Sequence, residues 1–310
     1  MLRPADAPRR LKVAAREDAA DGVIALTLVD PAGNPLPAWS PGAHVDVHLT
    51  DGTIRQYSLC SAPTDLSHYR VGVLRVPDGR GGSQRVHDEL HPGVLLPVSA
   101  PRNQFALDED ADEYVLIAGG IGVTPLLPMA ARLTALGRPW RMLYAGRSRT
   151  TMAFLGELPS GDVTLAFEDE GGRPDLAAYL APHPTATVYA CGPSGLLDAV
   201  QELHPGPVHT ERFTADQPSG DANTFTVVLA RSGAEVLVPA GQSVLDAVRA
   251  TGAPVSSSCE MGICGTCETK VVAGTPEHHD NLLTPEEQAT GNTMMICVSR
   301  SAGARLVLDL

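Results

Sequence analysis

Aromatic side chains are scarce in this 310-residue chain, at 4% of residues. Aliphatic side chains and alanine must therefore fill its cores. Cationic charge is also short. Only 23 Lys and Arg face 36 Asp and Glu, for a net charge of −13, which argues against a nucleic-acid partner. No apolar run approaches the roughly 18–20 residues of a membrane span, so no membrane partner is expected. The N-terminal stretch MLRPADAPRRLKVAARED has basic residues with no apolar segment behind them, which is not the layout of a secretory signal. Six cysteines are too few for a disulfide scaffold. Four of them fall in a pattern that resembles metal ligation, which suits a reducing cytoplasm. Internal repeats and long low-complexity tracts are missing as well.

What is present is an ordinary globular balance, 43% apolar and 19% charged. Thirty glycines and 26 prolines imply many turns and short elements. Length alone suggests about two domains, and the motifs divide the chain into three. Net charge is 0 over residues 1–107, −9 over 108–224 and −4 over 225–310. The acidic later part serves either solubility or the steering of a basic partner.

The first third reads as short strands. His44–Leu49 alternates polar and apolar residues, Tyr69–Val76 partly repeats the pattern, and Asp51-Gly52 is a hairpin signal. A small antiparallel barrel or sandwich is expected. The middle third changes period. An apolar strand, Tyr114–Ala118, is followed by a helix from Thr124 to Leu136 that Gly137 should stop. Three further strand–helix units follow: Met142–Ala145 with a helix near Phe154–Leu158, Val163–Phe167 with one near Asp175–Leu180, and Ala186–Ala190 with Ser194–Leu203. Such alternation predicts a parallel sheet covered on both faces. A polar stretch, TADQPSGDANT at 214–224, reads as a linker. Beyond it come a hairpin, Phe225–Ala230 and Glu235–Val238, a helix over Gln242–Ala250, and a loop over 256–267.

That loop holds the strongest signal, Cys259-x4-Cys264-x2-Cys267, with Cys297 further on. Three thiolates fall on one tight turn and a fourth comes from a distant strand. Gly262 and Gly265 allow the backbone to curl close to a bound group, with amide groups aimed at the sulfurs. The spacing is that of a plant-type [2Fe–2S] centre. Structural zinc more often uses two Cys-x-x-Cys pairs. His278-His279 is a candidate ligand pair by type, but its polar setting reads as surface loop. Cys60 reads as a small buried hydrophobe. Cys191 sits in Cys191-Gly192-Pro193 at a strand end, where ligands bind in α/β sheets.

Gly119-Gly120-Ile121-Gly122-Val123-Thr124-Pro125 follows a strand and opens a helix, the context of a phosphate-binding turn. It lacks the third glycine of the standard dinucleotide fingerprint. The next strand ends in Gly146-Arg147-Ser148-Arg149 rather than in an acidic residue. Those cations and hydroxyls are chemically suited to a ribose 2′-phosphate. Earlier, Arg55-Gln56-Tyr57-Ser58 places Arg55 and Tyr57 on one face of a strand and Ser58 on the other. Gly79-Arg80-Gly81-Gly82-Ser83 offers amides, a cation and a hydroxyl to a phosphate.

The order of these motifs along nearly the whole chain resembles the phthalate dioxygenase reductase family, whose layout vanillate O-demethylase reductases share. The resemblance implies a multidomain chain: an antiparallel β-barrel flavin domain over 1–107, an α/β parallel-sheet NAD-binding domain over 108–216, a linker over 217–224, and an α+β β-grasp ferredoxin-like domain over 225–310. By resemblance Arg55, Tyr57 and Ser58 lie along FMN, and Arg80, Gly81, Gly82 and Ser83 receive its phosphate. Gly120, Gly122, Thr124, Cys191, Gly192 and Pro193 sit beside the nicotinamide nucleotide. Arg147 approaches its adenosine end, and Glu211-Arg212-Phe213 ends the NAD domain close to the flavin. Ser58, Thr124, Cys191 and Glu211 are the expected catalytic positions. Cys259, Cys264, Cys267 and Cys297 are the expected cluster ligands. The implied activity is electron passage from NADH through FMN and [2Fe–2S] to a separate Rieske-type oxygenase. Alternatives are a cytochrome P450 partner, a redox sensor without sustained turnover, and a free flavin reductase. A monomer is expected.

Overall fold

The structure is a computed structural model that describes residues 8–77, 81–213, 223–262, 265–280 and 282–310. Arg80, Cys264 and residues 214–222 of the expected linker region lie outside the described residues. The chain divides into two compact units, Met1–Glu211 and Arg212–Leu310.

The first unit contains two sheets. Six strands, β1 (Arg9–Ala20), β2 (Val23–Val29), β3 (His44–His48), β4 (Ile54–Ser58), β5 (Tyr69–Leu74) and β6 (Leu95–Val98), pair in the order β4-β3-β6-β1-β2-β5. All these pairings are antiparallel. A bridge between Leu59 and Val71 joins the two outer strands, so the sheet closes into a barrel. Inward positions such as Leu11, Val13, Leu26, Leu28, Val45, Val47, Val71 and Val98 fill it, as the low aromatic content requires. The predicted hairpin links β3 to β4, with Gly52 at φ 83°. Helix α1 (Gly82–Glu89) follows β5, and its Val86 joins the barrel core.

The second sheet is parallel. It comprises β7 (Tyr114–Gly119), β8 (Trp140–Gly146), β9 (Asp162–Phe167), β10 (Thr187–Cys191) and β11 (Val208–Glu211), in the order β11-β10-β7-β8-β9. The chain moves outward from β7 in one direction and then returns to β7's other side with β10. The crevice between β7 and β10 is therefore the point where strand order reverses, the place where open α/β sheets bind ligands. The expected helices appear as α2 (Val123–Leu136), capped by left-handed Gly137, and later α4 (Leu176–Leu180) and α5 (Ser194–Leu203). The helix expected near Phe154–Leu158 is instead a single 3₁₀ turn, Leu155–Glu157. Phe154 adopts φ 61° there, which no α-helix tolerates, and Pro159 follows closely. A short helix, α3 (Glu168–Gly171), comes directly after β9.

The second unit has a mixed sheet of β12 (Phe225–Leu229), β13 (Glu235–Val238), β14 (Glu268–Ala273), β16 (Thr293–Met295) and β18 (Arg305–Leu308), in the order β13-β12-β18-β14-β16. β12 and β18 run parallel, while their other neighbours run antiparallel. A two-stranded ribbon, β15 (Pro276–Glu277) and β17 (Arg300–Ser301), stands beside it. Helix α6 (Val244–Arg249) buries Val244, Leu245, Ala247 and Val248 in the same core. Ser243 caps it by accepting from the Asp246 amide. Helix α7 (Pro285–Thr290) begins with a full capping box between Thr284 and Glu287. This is the α+β β-grasp arrangement that the family resemblance implied. Among the described residues no helix is long and apolar enough to cross a membrane.

Candidate functional site

Three places in the first unit bring the motifs together. At the barrel wall, Arg55 packs against the start of α1. A Cβ on Gly82 would stand 2.2 Å from Arg55 Nε, so only glycine lets the guanidinium lie there. Gly81, in the left-handed region at φ 78°, caps α1 without a side-chain partner. The result is a helix N-terminus with amide donors beside a cation, which suits a phosphate. The Ser83 hydroxyl lies in the same turn but accepts from the Val76 amide at 3.0 Å. Tyr57 packs on the barrel core, and burial pushes its hydroxyl well above the usual value. These residues fit FMN: a flat wall on β4 and a phosphate seat at its end.

Ser58 points to the other face, as its alternation requires. It is buried, and its hydroxyl donates to Glu211 Oε2 at 3.2 Å. Glu211 ends β11 and pairs in register with Cys191 on β10. Burial pushes the Glu211 carboxyl up to about 8, partly opposed by the Ser58 bond. The residue as a whole retains some solvent contact, so it is the carboxyl end that is walled in. The Cys191 thiol is fully buried and is pushed up by that burial and by Glu211. Cys191 is thus a neutral wall rather than a nucleophile. Phe213 falls in the second unit.

At the strand-order reversal, the two glycine loops touch backbone to backbone. A Cβ on Gly122 would stand 2.1 Å from the Cys191 carbonyl oxygen, and one on Gly192 2.9 Å from Gly119 Cα. Pro193 Cδ would stand 2.7 Å from a Cβ on Gly119. Gly120 takes φ 53° to start the turn into α2. Thr124 is 2% exposed, and its hydroxyl donates to the Ile121 carbonyl at 3.0 Å. It therefore shapes the site through its methyl group. With glycine at these positions no side chain stands over the loops, so a nucleotide could approach their backbones closely. At the end of β8, Arg149 is committed elsewhere: its guanidinium lies 4.1 Å from the Phe167 ring centroid and 3.8 Å from Glu170. The Arg147 carbonyl accepts from the Asp169 amide at 3.0 Å. The acidic run Glu168-Asp169-Glu170 that meets this loop carries no motif legible in sequence.

In the second unit Cys259, Cys267 and Cys297 are all buried, and none of the described cysteines is in a disulfide. Cys297 shares a hydrogen bond with Cys267, which together with burial pushes its thiol far up. The Met261 amide donates to Cys259 Sγ at 3.2 Å. Gly262 takes φ 69°, and a Cβ there would stand 2.6 Å from Val298 and 3.0 Å from Asp280. Crowded buried thiols with amide donors suit an iron–sulfur cluster, whose positive iron relieves their mutual repulsion. Among the described residues no group of three or more metal-ligating side chains is fully assembled, and Cys264 is outside them. His278 and His279 lie in a loop after β15, as expected, but are only partly exposed. The His278 side chain is 8% exposed and pairs with buried Asp280 at 3.3 Å. Asp280 also accepts from Ser299 Oγ and from the Leu283 amide.

Comparison with known proteins agrees with this geometry. Residues 227–302 match the 2Fe-2S iron-sulfur cluster binding domain. The chain is 46% identical to phenoxybenzoate dioxygenase subunit beta of Ectopseudomonas oleovorans, over 98% of each. It is 42% identical, at a TM-score of 0.80, to an intact type IV self-sufficient cytochrome P450 monooxygenase, of which it spans 42%. The solved phthalate dioxygenase reductase, described as a modular structure for electron transfer from pyridine nucleotides to [2Fe–2S], is 39% identical with a TM-score of 0.79 over 98% of each chain. An antiparallel barrel, a parallel sheet with two packed glycine loops and a cysteine loop on a β-grasp sheet thus occur in one order and at these identities, and the chain belongs to the phthalate dioxygenase reductase family.

Proposed function

We propose that this chain is the reductase component of an oxygenase system, carrying electrons from NADH through FMN and a [2Fe–2S] cluster to a separate Rieske-type oxygenase. The observation that carries the reading is the Ser58–Glu211 hydrogen bond. It ties the barrel strand that would face the flavin to the strand beside the nucleotide slot. A flavin accepts two electrons as a hydride from NADH and gives them up singly, which a one-electron cluster requires.

The chain's own residues supply placement. Arg55, Gly81, Gly82 and Ser83, with Arg80, would hold the FMN phosphate, and Tyr57 and Ser58 the ring. Gly120, Gly122, Thr124, Cys191, Gly192 and Pro193 would shape the nicotinamide slot, excluding water and fixing the approach. Glu211, with its raised carboxyl, holds a proton at neutral pH, so no negative charge opposes a flavin that gains electrons. Cys259, Cys264, Cys267 and Cys297 would ligate the cluster. Arg147 would approach the adenosine end. With Arg149 neutralised by Glu170 and three carboxylates after β9, a 2′-phosphate is disfavoured, which supports NADH. The modules would span 1–107, 108–216 and 225–310. A thiolate ligand set supports a cytoplasmic setting.

The match to a fused P450 enzyme favours a P450 as the second partner reading. Anaerobic titration of the purified protein with NADH, and in parallel with NADPH, tests the proposal. Flavin and cluster absorption should bleach together at low NADH, and released flavin should chromatograph as FMN. Flavin bleaching with an unresponsive cluster would overturn the electron path. Reoxidation by a Rieske protein, but not by a P450, should then separate the two partner readings.

A further inference from the structure

Away from the chemistry, a cluster of side chains joins the two sheets of the first unit. Arg70 on β5 forks onto Glu157, with Nη2 3.0 Å from Oε1 and Nη1 on Oε2. Its Nη2 also meets Glu17 Oε2 on β1 at 3.1 Å. The guanidinium stands 5.1 Å from the Phe154 ring centroid. Phe154 is 3% exposed and left-handed, and it opens the turn that carries Glu157. Gly72 lies two residues along β5, on the same face as Arg70. A Cβ there would stand 2.8 Å from Thr124 Cγ2 and 2.9 Å from the Phe154 ring. One bare point on the barrel strand therefore touches both the turn that Arg70 holds and the threonine of the nucleotide slot.

We propose that Arg70, Glu157 and Phe154, seated on Gly72, form a latch that sets how closely Thr124 approaches the barrel, and so the separation between nicotinamide and flavin. This rests on the reading of the first unit as the site where NADH reduces the flavin. Arg70 and Phe154 are positioning residues. The steep dependence of rate on the distance between reacting groups gives the latch its kinetic role. The Glu157 side chain is 48% exposed, beside an open cleft of about 440 Å³ that Arg149 and Glu17 also line. A misplacement of about 1 Å between reacting groups can cost on the order of 100-fold in rate.

The test is stopped-flow flavin reduction in the full-length holoprotein, under anaerobic conditions and across NADH concentrations. Arg70→Gln, Glu157→Gln and Phe154→Leu should each lower the limiting rate at saturating NADH by about ten-fold. The NADH concentration for half-maximal rate and the FMN content should stay near wild type in all three, and so should the melting temperature of Glu157→Gln, whose side chain is half-exposed; Phe154→Leu, at a buried position, should lower its melting temperature without losing FMN. Arg70→Lys should recover part of the rate. The isotope effect with 4-deuterated NADH should rise as hydride transfer slows. Unchanged limiting rates in all three variants overturn the latch alone. Rates that fall only in step with lost FMN, or a Glu157→Gln rate that falls only with a lowered melting temperature, also overturn it, since the cluster is then a structural tie. A wild-type protein that NADH does not bleach overturns the underlying reading and the latch with it.

Discussion

The Glu211 carboxyl lies between a hydroxyl from the barrel and a thiol from the neighbouring strand, and its raised proton affinity has a thermodynamic consequence. Its ordinary value is 4.5 and its folded value about 8. Between those limits the folded state binds more protons than the unfolded one. Stability from this group is therefore full at low pH and is lost as pH rises through that window. Glu211→Gln should flatten the decline in stability from pH 5 to pH 8, by on the order of 2 kcal/mol after allowance for solvent access. Urea unfolding followed by tryptophan fluorescence reads this directly, because both tryptophans, Trp39 and Trp140, lie in the first unit. A wild-type curve with no slope across that window would contradict the assignment. Ser58 and Glu211 are 153 residues apart, so no spacing rule joins them; only the resemblance did. Local motifs were more legible. The cysteine spacing pointed to the cluster loop because ligation is local, whereas the burial of His278 depends on a partner ribbon that its polar neighbours conceal.

At the scale of elements, strand–helix alternation told most of the parallel sheet and its helices from sequence, because β7, β8 and β10 are short, mostly apolar runs, whereas β11, with the sequence VHTE, gave no such signal. The barrel was legible only in outline. Its strands lack a clean alternation: β2 and β3 are buried almost throughout, and β1 has register shifts at Val13/Ala15 and Asp18/Ala20, which break the period that pattern reading needs. The turn at Leu155–Glu157 looked helical by composition, but local left-handed geometry at Phe154 overrode it. The contact of the two glycine loops is the element-level feature most exposed to mutation. Gly122→Ala must move the Cys191 carbonyl, which sits in a ladder fixed by both β7 and β11. Overpacking of this kind costs about 1–3 kcal/mol. The expected result is an NADH affinity weakened at least ten-fold with FMN and cluster retained. Calorimetric titration with NADH, beside flavin and iron content, checks this. Wild-type affinity would show that the slot between the loops is not the nucleotide site.

For the whole molecule, the division into two units predicts separable activities. A chain ending before residue 225 should keep NADH-dependent ferricyanide reduction and lose cytochrome c reduction, because the cysteine-loop unit is the exit toward a protein acceptor. Undiminished cytochrome c reduction by that fragment would remove the cluster from the path. The second unit also has a property set by its strand order. β18 is the latest strand in sequence, yet it lies in the middle of the sheet, between β12 and β14. During translation the hairpin of β12 and β13 emerges well before the strand that must lie beside it. Cys297, too, arrives long after Cys259. The sheet beside the cysteine loop can therefore close only after Arg305–Leu308 has been made, and the nascent hairpin is left with an open edge meanwhile. A message interrupted shortly before the Arg305 codon would make a protein whose first unit still consumes NADH with nowhere to deliver the electrons but dioxygen, so the burden of such an allele on a cell would be oxidative rather than a simple loss.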